Sequence, residues 1–131
     1  MKKLFSFVAV ATMFVACGSN TPDVVAKNCH KAYFEGDLNK YTQCFYFKSE
    51  DVKQKHMEDL ISNINRSRKM IAGVGGIKSV EASILREFKD DNGIQTAEIQ
   101  AIMTANNGEI HKLTNELKKV GNNWYMYVYN K

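Results

Sequence analysis

The last third of the chain, residues 77–129, alternates apolar and polar side chains in four runs separated by turn-forming residues. A period of two places one face of a strand against a core and the other face in solvent. The intervening turns, at residues 90–93, 106–108 and 121–123, contain Asp, Asn and Gly, which tolerate tight turns and positive φ. Connections this short leave no room for crossover helices, so the four strands are predicted to pair antiparallel.

One face of these predicted strands is mainly apolar. Glu81, Glu98 and Glu116 all fall on the opposite face, so no strand carboxylate is expected to point inward. The residues predicted to line the inward face are Val80, Ile84, Ala97, Ile99, Ala101, Met103, Leu113, Leu117, Trp124 and Met126.

Three helical segments precede the strands. Pro22 suits the first position of a helix, and Gly36 ends that helix. Asp37 opens a second, shorter helix, and Ser49 can cap a third helix that ends in the glycines of residues 73–76. The order of helices followed by strands predicts an α+β fold, with three N-terminal helices on one face of a four-stranded antiparallel sheet.

The first sixteen residues have the build of an export signal. Two lysines precede an uncharged run at residues 4–16, which is shorter than the roughly 20 residues that a membrane-spanning helix needs. The run ends in Phe-Val-Ala-Cys at residues 14–17, which resembles the lipobox of bacterial lipoprotein signals. The resemblance implies cleavage before Cys17 and acylation of that cysteine, which gives a stable membrane anchor. The alternative is an ordinary secretory signal in which Cys17 is incidental.

The domain organisation and location follow from this interpretation. We expect a signal peptide at residues 1–16, a lipidated tether at 17–21 and a single domain at 22–131. In some bacterial lipoproteins an acidic cluster after the acylated cysteine marks export to the cell surface. The tether lacks such a cluster, so we expect an anchor in the cell envelope that faces the periplasm. After loss of the two leading lysines, 16 basic residues stand against 14 acidic ones, a net charge of about +2. No basic stripe is interleaved with aromatic residues, so we expect no nucleic-acid partner.

Two cysteines lie at matching positions of the predicted helical hairpin. Cys29 lies seven residues before Gly36, and Cys44 lies seven after Asp37, so the two meet if the helices run antiparallel. An exported protein can oxidise them, and a loop of this size stabilises the fold by roughly 3 kcal/mol in the entropy model. We therefore predict a disulfide between Cys29 and Cys44, the alternative being two buried free thiols.

Four short motifs stand at residues 22–25, 34–37, 116–119 and 123–124. They resemble motifs of the small bacterial lipoproteins of the nuclear-transport-factor-two-like, or cystatin-like, superfamily, whose function is unknown. The resemblance covers nearly all of the mature chain. It implies a cone in which a curved sheet wraps around a long helix, with a pocket between them that in relatives binds ligands, forms dimers or, in a minority, carries out chemistry.

The candidate ligand pocket combines the polar residues that we assign to the inward, mainly apolar face of the predicted strands. His111 and Asn115 share the parity of the apolar face, and Arg86 interrupts the first strand. Together with Trp124 they could orient a polar ligand inside an apolar wall.

A second candidate surface is the row Tyr125, Tyr127 and Tyr129, which alternation places away from Trp124. Aromatic residues are enriched at interfaces, so the row predicts contact with a protein partner or a second copy of the chain. The alternative is that these rings pack across neighbouring strands.

The sequence favours binding over catalysis. Ketosteroid isomerases, which the chain resembles in fold, need an inward carboxylate base, and none is predicted here. His30 and His56 pair with nothing at metal-ligand spacing, so we expect no metal and no cofactor. The alternatives are an isomerase- or dehydratase-like enzyme that uses His111 as its base, and an inhibitor of a periplasmic enzyme.

Overall fold

The computed structural model describes residues 21–131, so the predicted signal peptide and Cys17 lie outside the described residues. The elements are α1 (Pro22–Glu35), α2 (Leu38–Thr42), β1 (Phe45–Phe47), α3 (Glu50–Gly73), β2 (Ile77–Lys89), β3 (Gln95–Ala105), β4 (Ile110–Val120), β5 (Asn123–Tyr125) and β6 (Tyr127–Tyr129). Strands β2 to β5 form an antiparallel sheet in that order. The α+β class, with three helices on one face of a curled four-stranded sheet, is confirmed.

The helix boundaries follow the residues that the sequence marks. Pro22 occupies the first turn of α1, and Gly36 ends that helix in the left-handed conformation at φ 73°. The side chains of Asp37 and Ser49 each accept a hydrogen bond from a backbone N–H three residues ahead, which caps α2 and α3. Within the described residues, no helix is both long enough and apolar enough to cross a membrane.

Helix α1 lies between the sheet and α3. Its Ala26 packs into a cluster with sheet residues that include Ile99 and Trp124. Its Ala32 packs into a different cluster with Leu60 and Ile64 of α3. The resemblance implied a curved sheet around a long helix. In the structure the shorter helix α1 makes the main contact with the sheet, and α3 reaches the sheet cluster near its end, at Ile71. The space between the long helix and the strands is occupied by α1.

The inward face of the sheet is largely as predicted. Ile84 and Leu113 are exceptions, because both are exposed although their parity is inward. Met126 is partly buried against the core. The predicted inward residues that are buried are Val80, Ala97, Ile99, Ala101, Met103, Leu117 and Trp124.

The last predicted strand is two strands. Strand β5 pairs antiparallel with β4, whereas β6 pairs parallel with β1, with Phe45 opposite Tyr127 and Phe47 opposite Tyr129. The break falls at Met126, whose N–H donates to the Cys44 carbonyl at 2.7 Å. Alternation continues across the break, so the period of two could not reveal it. We call this two-stranded unit of β1 and β6 the aromatic ribbon.

Candidate functional site

Asn115 lies in the interface between α1 and the sheet, where it meets a histidine. The Asn115 Oδ1 is 3.4 Å from His30 Nε2, which can donate to it as a neutral imidazole. His30 is only 6 % exposed, and burial lowers its pKa, an effect that the hydrogen bond to Asn115 partly opposes. Sequence reasoning missed His30. The signal that could have revealed it is its position on α1. His30 lies four residues from both Ala26 and Phe34, which are also buried, so all three lie on the stripe of α1 that faces the sheet.

His111 lies apart from this pair. It is four residues from Asn115 on β4, about 13 Å along the strand at 3.3 Å per residue. Its Nε2 is 3.4 Å from Oε1 of Glu109, but the two side chains are 41 % and 55 % exposed. Glu109 therefore lies beside His111, but both side chains are open to solvent rather than enclosed in a pocket.

Arg86 faces away from the helices. A register irregularity between Ile84 and Arg86 shifts the alternation, so Arg86 lies opposite Glu98. Its Nε donates to Glu98 Oε1 at 3.0 Å, and its guanidinium stands 4.3 Å from the centroid of the Phe88 ring. The assignment of Arg86 to the inward pocket is therefore wrong, because an extra residue in a strand reverses the face of those that follow.

Trp124 is buried in the core, but it also borders an open groove. The groove has a volume of about 490 Å³ and lies beside α1 and α2, and we call it the helix groove. The structure thus does not gather the four predicted pocket residues into one cavity. Asn115 meets His30, Trp124 borders the helix groove, and His111 lies at the surface. The polar residues that line the helix groove are Asn28, Lys31, Glu35, Lys40 and Gln43.

The predicted disulfide is present. Cys29 and Cys44 are joined, with their Cα atoms 5.9 Å apart. The bond ties α1 to the residue that precedes β1. Because the Cys44 carbonyl accepts from the Met126 N–H, the same point also holds the junction between β5 and β6.

The three tyrosines of the predicted partner surface have different surroundings. Tyr125 packs edge-to-face on Tyr46, with ring centroids 5.5 Å apart. Tyr129 stacks on Phe47 at 5.2 Å, and burial raises the pKa of its hydroxyl. Tyr127 is 56 % exposed. Two of the three rings therefore make cross-strand contacts, as the packing alternative described, while Tyr127 projects into solvent.

Two open grooves border the aromatic ribbon. One, of about 410 Å³, lies along β1 and is called the β1 groove. The other, of about 320 Å³, lies beside β6 and includes His56, whose Nε2–H donates to the Lys131 carbonyl at 2.7 Å. For a metal, by contrast, residues 21–131 offer no group of three or more His, Cys, Asp or Glu side chains.

The architecture is that of the NTF2-like (nuclear-transport-factor-two-like) fold. It is similar to the crystal structure of a Campylobacter jejuni protein described as a "putative NTF2-like transpeptidase", with a TM-score of 0.67, 19% identity, and coverage of 82% of this chain and 97% of that one. An NTF-2 like protein of unknown function from Shewanella oneidensis MR-1 gives a TM-score of 0.43 at 10% identity, covering 82% and 94% of the two chains. No protein-family model and no curated protein sequence matches the chain.

Proposed function

We propose that this protein is a lipid-anchored protein of the bacterial cell envelope whose NTF2-like domain binds a ligand or protein partner without converting it chemically. The main support for binding rather than catalysis is that the concave face of the sheet is filled by protein. Helix α1 occupies the place where a substrate cavity would lie, and Ala26, Ile99 and Trp124 pack there. Open grooves lie instead on the outside, at the helix groove and along the aromatic ribbon.

The anchoring part of the proposal depends on the N-terminal sequence. A basic start, a short uncharged run and the Phe-Val-Ala-Cys ending support acylation at Cys17. The domain begins with α1 at Pro22, so the tether is only a few residues long. An acylated Cys17 would therefore hold the domain close to the membrane surface, facing the periplasm.

Two observations weigh against enzymatic activity. The contact between His111 and Glu109 favours the isomerase- or dehydratase-like alternative, but both side chains are exposed, and water around a general base weakens its control of a proton. The activity suggested by the name of the Campylobacter protein would need a nucleophile. Within residues 21–131 a cysteine cannot supply it, because Cys29 and Cys44 are joined to each other.

The anchor is tested by fractionating cells that express the wild type or Cys17→Ser. We expect wild-type protein in the membrane fraction, labelled by a palmitate analogue, and the variant in the soluble fraction without label. If Cys17→Ser labels at the wild-type level, acylation at this residue is excluded.

The binding assignment is tested by capturing the lipidated protein from its own envelope and identifying bound proteins and small molecules by mass spectrometry. His111→Ala serves as the matched variant, because it removes the candidate base and His111 lines none of the three grooves. We expect the variant to capture the same molecules and to restore function in a deletion strain. A variant that captures the same molecules but fails to restore function would support the enzymatic alternative.

A further inference from the structure

We propose that the β1 groove is a binding site for a neutral glycan chain. This inference rests on the binding part of the proposed function and names the class of ligand. The groove has a volume of about 410 Å³ and is open to solvent along one side of the aromatic ribbon. Its lining combines aromatic rings with hydrogen-bonding side chains, and each component matches one part of a sugar.

The rings supply the apolar part of the site. The rings of Tyr46 and Tyr125 line the groove, and both residues are half-buried. The rings of Phe45 and Phe47 pack instead against the core, so these two residues border the groove through their backbone. Tyr46 and Tyr125 meet at an interplanar angle of 67°, an arrangement in which the two rings do not cover each other's faces completely. The face of an aromatic ring carries partial negative charge, so it attracts the polarised C–H groups on the flat side of a sugar ring.

The rim supplies the polar part of the site. Gln43 offers both a donor and an acceptor, Glu50 offers acceptors and Lys53 offers donors, which together suit the mixed hydrogen bonding of hydroxyl groups. The charges of Glu50 and Lys53 cancel, so the lining has no net charge. A neutral ligand with many hydroxyl groups fits this balance better than an anion or a cation does.

The edge of β1 adds backbone groups. The Lys48 N–H donates to the Tyr129 carbonyl, and the Cys44 carbonyl accepts from Met126, so alternate residues of this segment point their backbone groups toward β6. The intervening residues Phe45 and Phe47 therefore point theirs away from β6. These groups can donate to and accept from a ligand that lies along the strand.

The size of the surface favours a small ligand over a protein partner. Strand β1 has three residues and is about 10 Å long at 3.3 Å per residue. A fully buried aromatic side chain contributes roughly 150–250 Å². Tyr46 and Tyr125 are partly covered already, so together they offer at most a few hundred Å², against about 800 Å² per partner in a stable protein interface.

The test is glycan binding by the purified, unlipidated Cys17→Ser protein with the disulfide intact. Soluble chitin, cellulose and maltose oligosaccharides are titrated separately by calorimetry, and insoluble peptidoglycan sacculi are used in co-sedimentation. The separate arms distinguish a cell-wall glycan from a glucan. We expect saturable binding to at least one glycan, with affinity reduced about tenfold by Tyr46→Ala, which corresponds to about 1.4 kcal/mol. Tyr46→Phe, which keeps the ring, should retain binding.

Three variants separate the site from the fold. Gln43→Ala removes an exposed rim group and is expected to weaken binding without affecting folding, whereas Ile110→Ser changes an exposed apolar residue outside the groove and should bind as the wild type does. Near-ultraviolet circular dichroism checks that Tyr46→Ala is folded. The inference is overturned if no glycan binds, if Gln43→Ala and Tyr46→Ala bind normally, or if Tyr46 is needed only for self-association. Capture of an envelope protein without glycan binding would leave the proposed function standing and remove this inference alone.

Discussion

His30 Nε2 lies 3.4 Å from Asn115 Oδ1, in a contact that joins α1 to β4 across 85 residues of sequence. The imidazole is buried and next to the Phe34 ring, whose centroid is 6.4 Å away. Because water is excluded, the neutral form of His30 is favoured and its pKa lies below the ordinary value of 6.5. A titratable group therefore sits in the main interface between the helices and the sheet.

This placement predicts that acid weakens the fold. Below about pH 6.5 the unfolded chain binds a proton at His30, while the folded protein does so only at a lower pH. The stability linked to His30 should therefore be fully present above pH 6.5. Below that pH the free energy of unfolding should decrease, by at most about 1.4 kcal/mol per pH unit. Urea denaturation at pH 7.5, 6.5 and 5.5 measures the decrease.

Two variants assign the effect to His30. His30→Gln should lose stability at pH 7.5 and show a smaller decrease toward pH 5.5 than the wild type. His111→Gln, a change at the surface, should leave the decrease in place. Equal pH dependence in His30→Gln and the wild type would contradict the assignment.

The disulfide supports a second prediction. Cys29 and Cys44 close a loop with a sequence separation of 15. The free energy of unfolding of the double variant Cys29→Ser/Cys44→Ser should therefore be about 3 kcal/mol lower than that of the wild type. The loss should include looser attachment of β6, because Cys44 holds Met126. Urea denaturation measures the first effect, and hydrogen exchange at residues 126–129 measures the second.

Reduction provides the control for this prediction. Dithiothreitol should lower the stability of the wild type to that of the double variant and leave the double variant unchanged. If the reductant destabilised both proteins equally, the effect could not come from this bond.

The sequence predicted the elements that depend on local patterns. Strands β2 to β4 appear because alternation and turn residues mark both their lengths and their ends. The start of α1 follows from Pro22, whose fixed φ suits the first turn of a helix, and the start of α3 follows from the cap that Ser49 supplies. Both effects act within one turn. The pairing of Cys29 with Cys44 followed from equal distances to a turn, which is also local.

The features that sequence reasoning missed depend on distant contacts. Strand β1 pairs with residues about 80 positions away, and three residues are too few to show a period. Both α1 and α3 carry an apolar stripe of similar strength, so the pattern could not show which of them lies on the sheet. The irregularity before Arg86 adds one residue to β2, and no residue type there marks it. The candidate site was affected most, because its residues were assigned by parity alone.

A third prediction concerns the end of α1. Gly36 has φ 73°, and a Cβ added there would lie 2.7 Å from Arg68 Nε. The left-handed conformation costs other residues roughly 1–2 kcal/mol, and the displaced guanidinium would lose its 2.7 Å hydrogen bond to the Gly36 carbonyl. Gly36→Ala should therefore reduce the free energy of unfolding by about 2 kcal/mol, measured by urea denaturation, given the conformational cost and the lost bond.

Gly73 provides the matched control. It is the last residue of α3, and a Cβ added there would meet no heavy atom within 4 Å. Gly73→Ala should increase stability by about 0.5–1 kcal/mol, because alanine restricts the unfolded chain without strain in the folded one. If both alanine variants changed stability in the same direction, the conformation of Gly36 would not be the cause.

The aromatic ribbon supports a fourth prediction, which separates structural tyrosines from exposed ones. The centroid of the Tyr129 ring lies 5.2 Å from the centroid of the Phe47 ring and 4.2 Å from that of the His56 ring. Tyr127, by contrast, is 56 % exposed. Tyr129→Ala should lower the free energy of unfolding by about 2 kcal/mol, less than the roughly 3–5 kcal/mol of a fully buried ring. Tyr127→Ala should cost less than about 1 kcal/mol, because it loses mainly its contact with Tyr129. Urea denaturation of the two variants measures the difference, and a larger loss for Tyr127→Ala would mean that its ring is covered in solution, as in a dimer.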